Sequence, residues 1–243
     1  MRLRGKTALV TGGGTGIGWG IAQALASEGC QVAIAGRREQ KLREVAESYR
    51  RKPAIKYFRC NVGHRTSVQH LFDWAAKELG DIHILVNSAG TNIKTRKMSE
   101  MSPEQWDQVL NANATGAYNC MYHVLPQMRE RQDGLIINIS SIAGKRASAL
   151  GGIAYSASKF AMTALGTAVG NEDSVNGIRV TNIYPGEVNT PILENRPAPV
   201  SDERKAKMLL PEDVASIVTT IACLHPRAHV PELVIKPLVQ GYM

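Results

Sequence analysis

The sequence predicts an α/β protein, one doubly wound parallel sheet with helices on both faces. Three observations lead there. Short apolar, β-rich runs alternate with stretches of helical periodicity along the whole chain, the pattern that stacks parallel strands through crossover helices. The first run is followed at once by a glycine cluster and then a helical pattern. Later runs are released into small or polar residues, at the strand ends where open α/β sheets hold their ligands. The 243 residues fit one such domain with a substantial core, and no linker, repeat or low-complexity tract divides them.

Lys6 to Thr11, KTALVT, is the first strand. It enters Gly12-Gly13-Gly14-Thr15-Gly16-Ile17-Gly18, and a helix follows through Ile21, Ala24 and Leu25 to a stop at Gly29. Bare backbone there can approach a pyrophosphate, and the helix N-terminus offers unpaired N–H groups and a positive dipole end. A plain Gly-rich turn would look similar, and the second strand decides between them. Gln31 to Ala35 ends in Gly36-Arg37-Arg38, 18 residues beyond Gly18, where an NAD site places an acid against the ribose hydroxyls. Two arginines stand there instead, where a 2′-phosphate would lie, so the expected cofactor is NADP(H). Glu39, the nearest acid, falls in the first turn of the next helix, which runs to about Arg51.

Ile55 to Cys60 is a third strand, ending in Asn61-Val62, and a helix follows from about Ser67 to Leu79. Ile82 to Val86 enters Asn87-Ser88-Ala89-Gly90, small residues that permit close ligand approach. Ser102-Pro103-Glu104-Gln105 is a strong helix start. That helix carries Asn111-Ala112-Asn113-Ala114-Thr115-Gly116, which predicts a kink or a buried polar role, and ends near Met128. Leu135 to Ile139 is released into Ser140-Ser141. A helix from Ile153 to about Val169 carries Tyr155-Ser156-Ala157-Ser158-Lys159, and a sixth strand, Ile178 to Ile183, precedes Tyr184-Pro185-Gly186. Residues 187 to 207 hold prolines and charges with little periodicity, the composition of a mobile lid. A helix from Pro211 to Leu224 and a strand from Leu233 to Lys236 complete the pattern.

Tyr155 and Lys159 stand four apart, so on a helix both leave the same face. An ammonium ~4 Å from a phenolate contributes roughly 4 kcal/mol, about three pKa units, which would bring a phenol toward working pH. The net charge of +8, from 29 Lys and Arg against 21 Asp and Glu, is scattered, with its densest cluster at Arg37, Arg38, Lys41 and Arg43. That distribution carries no nucleic-acid motif and fits a phosphate-bearing ligand. Cys30, Cys60, Cys120 and Cys223 are isolated, the six His show no metal spacing, and no apolar run reaches transmembrane length. The expectation is a cytoplasmic protein with no metal, no membrane span and no nucleic-acid partner.

With these residues placed, the chain from about Lys6 to Val239 resembles a short-chain dehydrogenase/reductase. The resemblance rests on TGGGTGIG at 11–18, NSAG at 87–90, Asn113, ISS at 139–141, YSASK at 155–159 and PGEVNTP at 185–191, in that order. It implies a seven-stranded Rossmann-type sheet and hydride exchange between NADP(H) and a small carbonyl or secondary alcohol. Carried over residue by residue, Tyr155 would be the acid/base, Lys159 would lower its pKa and bond the nicotinamide ribose, and Ser141 would polarise the carbonyl. Asn113 would hold a water linking Lys159 to solvent. Thr15 to Ile17 would lie at the pyrophosphate, Asn87 to Gly90 along adenosine and ribose, and Val188 with Thr190 at the carboxamide. Asn61 stands where the family usually has Asp, against the adenine amino group. The gap from Ser141 to Tyr155, 14 residues, is one longer than expected, with the extra residue assigned to 145–152 at the substrate mouth. Family members are commonly tetramers or dimers, and Ala161, Ala164, Gly166 and Ala168 give the Tyr155 helix small residues for close packing. The C-terminal ELVIKPLVQGYM lacks the Asp-Gly-Gly turn of acyl-carrier-protein ketoreductases and is more similar to enzymes of small hydroxy acids, aldehydes and ketones. A 3-oxoacyl-thioester reductase and a non-catalytic dinucleotide-sensing regulator are the competing readings. The set Asn113, Ser141, Tyr155 and Lys159 favours an enzyme, because a sensor has no need of a proton path.

Overall fold

The computed structural model describes residues 1–241, so Tyr242 and Met243 of the C-terminal stretch lie outside the described residues. Strands and helices alternate: β1 Thr7–Thr11, α1 Gly16–Ser27, β2 Gln31–Gly36, α2 Glu39–Ser48, β3 Lys56–Arg59, α3 Arg65–Leu79 and β4 Ile84–Asn87. Then follow α4 Pro103–Leu110, α5 Gly116–Arg131, β5 Gly134–Ile139, α6 Ile153–Asp173, β6 Ile178–Pro185, α7 Asp202–Ala206, α8 Pro211–Ala222 and β7 Glu232–Ile235. All seven strands are parallel, in the order β3-β2-β1-β4-β5-β6-β7, as the sequence predicts. The order reverses between β1 and β4, which opens a crevice at their C-terminal ends.

Period-two alternation sends the two sides of each strand into two cores. Ala8, Val10, Val32, Ile34, Val86 and Ile137 pack under α1, α2 and α8 with Ile21, Leu25, Leu42, Val214 and Val218. Leu9, Ala33, Leu85 and Ile136 face the other way, onto Leu71 and Phe72 of α3 and Met121 and Val124 of α5. Truncating a fully buried Leu such as Leu9 or Leu85 to Ala costs ~2–5 kcal/mol. Cys30 and Cys60 are filler in these cores, and all four cysteines are free.

Two helix ends differ from expectation for identifiable reasons. The helix carrying Tyr155 continues to Asp173 because that carboxylate, 1 % exposed, is gripped by Arg129 of α5 at 2.6 Å. The expected kink is a π-helical turn, Asn111–Thr115, between α4 and α5. The wider turn places the Asn113 amide inside the protein, fully buried.

Asn87, Asn138 and Asn182 stand side by side on β4, β5 and β6 and join through their amides. Asn87 Nδ2 donates to Asn138 Oδ1 at 3.0 Å, and Asn138 Nδ2 donates to Asn182 Oδ1 at 3.0 Å. Asn182 Nδ2 donates in turn to the Thr163 carbonyl and to Thr167 Oγ1 of α6, both at 3.3 Å. A polar ladder inside the sheet therefore fixes the helix that carries Tyr155. Gly166 lies against Asn138 and Asn182 with no room for a Cβ. It serves this contact and does not belong to the exposed small-residue face of α6.

Candidate active site

Of the residues the sequence singles out, all but Asn87 and Asn113 border one cleft of about 870 Å³ at the C-terminal edge of the sheet. At one end the chain turns from β1 into α1. Gly12 has φ +67, and a Cβ there would lie 2.7 Å from the Ala89 backbone, so the two loops meet only because it is glycine. The N-terminus of α1 has no side-chain cap and no acid in its first turn. By contrast, Ser102 and Gln105 form a full capping box on α4. Uncapped N–H groups facing a cleft are the right chemistry for an anionic pyrophosphate. Arg37, Arg38 and Lys41 border the same end, with Asn61 and Val62 opposite. The Asn61 side-chain oxygen already accepts from Gly63 N at 3.2 Å, leaving one lone pair for a further donor.

Asn87 does not border the cleft. Its Nδ2 is held in the ladder while its Oδ1 is buried without a partner, and Ser88, Ala89 and Gly90 are the cleft residues of that motif. Thr11 Oγ1 holds this turn by accepting from the N–H groups of Ser88 at 3.2 Å and Ala89 at 3.1 Å. The turn then passes Asn113, whose Oδ1 accepts from Thr91 N at 2.7 Å. Asn113 Nδ2 donates to the Thr91 carbonyl at 3.0 Å and to Ser158 Oγ at 2.9 Å. Asn113 thus fastens the 87–91 turn to α6 and makes no direct bond to Lys159.

Ser141 and Tyr155 both border the cleft, where the Ser141 hydroxyl favours the ionised form of the Tyr155 phenol. The longer spacing between them does no harm, because a 3-10 turn, Ile142–Gly144, and the bend at Gly152, φ +78, take up the chain. One turn along α6, Lys159 Nζ donates to the Ile139 carbonyl at 2.7 Å and lies 5.7 Å from the centre of the Tyr155 ring.

The electrostatics of the pair are set first by burial. Burial holds Tyr155 above its ordinary value, and the groups that oppose burial are the Ser141 hydroxyl and the charge of Arg96. Burial also pushes Lys159 from the ordinary 10.5 down to about 7. Both follow from the cost of a charge without water. Between about pH 7 and the ordinary lysine range the unfolded chain holds a proton that the folded chain has released. Stability from this group therefore rises with pH across that window and is constant below it. Lys159→Met is expected to raise the melting temperature at or below neutral pH by about 2–4 °C for each kcal/mol gained, a gain that shrinks toward pH 10. A melting temperature lowered at every pH would overturn this.

Arg96 sits in the loop between β4 and α4. Its guanidinium borders the cleft, and Nη2 donates to the Asn195 carbonyl at 2.9 Å. A basic residue shortly after the Asn87 turn was the only signal available. Across the cleft, 187–207 is an anchored arch. Its ends pair at Val188 and Leu209, and Glu187 holds Arg196 at 2.7 Å and Arg204 at 2.8 Å. A 3-10 turn, Pro191–Asn195, and α7 fill it.

Residues 6–200 match the family model for short chain dehydrogenase. The chain belongs to the short-chain dehydrogenase family. It is therefore an oxidoreductase. An uncharacterised oxidoreductase of Staphylococcus saprophyticus is 32% identical over 98% of this chain and 100% of its own. An alcohol dehydrogenase of the archaeon Thermococcus sibiricus, solved with 5-hydroxy-NADP, superposes with a TM-score of 0.87 at 26% identity, covering 97% of this chain and 98% of that one. A 3-ketoacyl-(acyl-carrier-protein) reductase of Brucella melitensis, solved with NADH, gives a TM-score of 0.87 at 25% identity, with the same coverage. Among the described residues of this short-chain dehydrogenase, no helix is long and apolar enough to cross a membrane. None of its His, Cys, Asp and Glu residues cluster as metal ligands.

Proposed function

We propose that this chain is an NADP(H)-dependent reductase of small carbonyl compounds, running in reverse as a secondary-alcohol dehydrogenase. The observation that carries this reading is the pairing of the Ser141 and Tyr155 hydroxyls beside Lys159, in the cleft where the open N-terminus of α1 and Arg37 also lie. The bound cofactor supplies or accepts the hydride. The protein supplies the rest. As the carbonyl oxygen gains charge, Ser141 and Tyr155 donate to it, and Tyr155 releases its proton to complete the alcohol. A phenol held above its ordinary value is protonated at neutral pH, ready as the acid of reduction. Lys159 and the carbonyl of Ile139 keep α6 at a fixed distance from β5. Asn113 holds Thr91 and Ser158 on either side of the site and retains one lone pair for a water.

The test is NADPH oxidation against a panel of aldehydes and ketones. NADPH binding without turnover on any of them would overturn the reading. A second reading, a 3-oxoacyl-thioester reductase, draws support from the likeness to the Brucella reductase, and inclusion of a β-ketoacyl thioester in the panel separates the two.

We also propose a homodimer or homotetramer and a lid role for 187–207. The support for assembly is the row of exposed aromatics, Trp106, Tyr118 and Tyr122, on α4 and α5 and the exposed small face of α6 at Ala161, Ala164 and Ala168. Light scattering is expected to give a multiple of 26.4 kDa at micromolar concentration, and a monomer mass would refute assembly.

A further inference from the structure

We propose that Arg96 is a clamp for a carboxylate on the substrate, so that the enzyme acts on short oxo acids and hydroxy acids. This rests on the carbonyl-reductase reading and narrows its substrate.

Arg96 is a cation in the cleft without an anion. Its Nε and Nη1 are screened from bulk water and have no partner, while Nη2 donates to a neutral acceptor, the Asn195 carbonyl at 2.9 Å. Unpaired buried charged donors are costly, so a protein that keeps one has a use for it. Among the described residues no carboxylate offsets the charge, and burial is the largest influence on it, opposed only by the Tyr155 phenol. The neighbouring cation is Arg196, which adds repulsion. Among the described residues the one side-chain carboxylate bordering the cleft, Glu187, is committed to Arg196 at 2.7 Å and Arg204 at 2.8 Å. Arg131 and Arg179 also leave buried nitrogens unpaired, but each has an aspartate within electrostatic reach, Asp81 at 3.3 Å and Asp133, and neither borders the cleft.

The side chain is also held in place. The Arg96 carbonyl accepts from Ile153 N at 3.2 Å, at the first residue of α6. Its aliphatic stem fills the space beside Gly152, where a Cβ would lie 2.7 Å from Cδ. Gly152 stands three residues before Tyr155, so the guanidinium is fixed relative to the reacting phenol, which feels its charge. A carboxylate entering the cleft would exchange the neutral Asn195 acceptor for a charged, bidentate one, and would free or re-seat the 187–207 arch as it binds.

The experiment uses pyruvate, acetoacetate and 4-oxopentanoate, each beside its methyl ester, with wild type, Arg96→Met and Arg96→Lys. Reduction kinetics are measured, and calorimetry follows acid binding to the protein loaded with NADP⁺. At least one acid is expected to exceed its ester in kcat/KM by about 10- to 150-fold. Arg96→Met should erase that ratio, chiefly through KM, and abolish acid binding while NADP⁺ still binds. Arg96→Lys, which keeps the charge but not the fork, should restore part of it. If no acid is preferred or bound, or if the ratio survives Arg96→Met, the clamp is wrong. Continued reduction of the esters would then leave the carbonyl-reductase reading standing. Binding of an acid through Arg96 with no reduction of any acid or ester would support the clamp and sink that reading.

Discussion

Tyr155→Phe is expected to lower turnover by about 10²–10⁴-fold while cofactor binding stays within a few-fold of wild type. The substitution removes one oxygen. The ring keeps its place on α6, and the ladder of Asn87, Asn138 and Asn182 that positions the helix is untouched. What is lost is the proton donor and half of the hydroxyl pair facing the carbonyl oxygen. Ser141 still donates, which leaves residual electrostatic stabilisation and sets the lower end of the range. Steady-state reduction together with a fluorescence titration of NADPH checks both halves. Wild-type turnover in the variant would remove Tyr155 from the chemistry. The direction of the phenol's shift adds a further sign. Since burial holds Tyr155 above its ordinary value, alcohol oxidation, which needs the phenolate, should rise with pH through the neutral range.

Arg37→Asp is expected to weaken NADPH binding by about 10- to 150-fold, from the loss of one charge-assisted bond to the 2′-phosphate, with NADH binding unchanged or tighter. Strand β2 ends at Gly36, and Arg37 stands exposed at the edge of the cleft with Arg38 and Lys41. No acid faces them there, since Glu39 lies in the first turn of α2. Replacing Arg37 by Asp places an anion where a 2′-phosphate would be repelled and a ribose diol accepted. Thr15 brings no charge of its own in the glycine loop, so Arg38 and Lys41 set how much NADPH affinity survives. Titration of both cofactors into wild type and variant decides. NADH binding more tightly than NADPH in the wild type, or undiminished NADPH affinity in the variant, would reduce Arg37 to a solvated helix-start residue.

Features written into local order along the chain were legible without coordinates. The five inner strands announce themselves as short apolar runs, because a strand buried on both faces has no choice but to be apolar throughout, whereas the edge strands β3 and β7 are half exposed. The glycines at 12–18 and the pair Tyr155 and Lys159 are fixed by spacing along one strand–loop–helix unit and one helical turn. Three other matters depended on partners distant in sequence. Asn87 reads as a ligand residue, and only the fold shows that its Nδ2 is held by Asn138, 51 positions away. Arg96 looks like any loop arginine until the chain returns at Gly152 to hold its stem and at Asn195 to meet its head, with no carboxylate brought to it. The ionisation of Tyr155 and Lys159 follows the same logic. Spacing says that a cation and a phenol are neighbours, but how much water each keeps is set by the elements that close around them. Burial raises the Tyr155 phenol and lowers the Lys159 ammonium. The sequence by itself determined the sheet and the glycine loop and nominated the reacting groups we propose, because each is a local pattern. The tertiary structure alone decided which polar groups face the cleft, which are consumed in holding it together, and which charge is left uncompensated, because those are sums over contacts between distant segments.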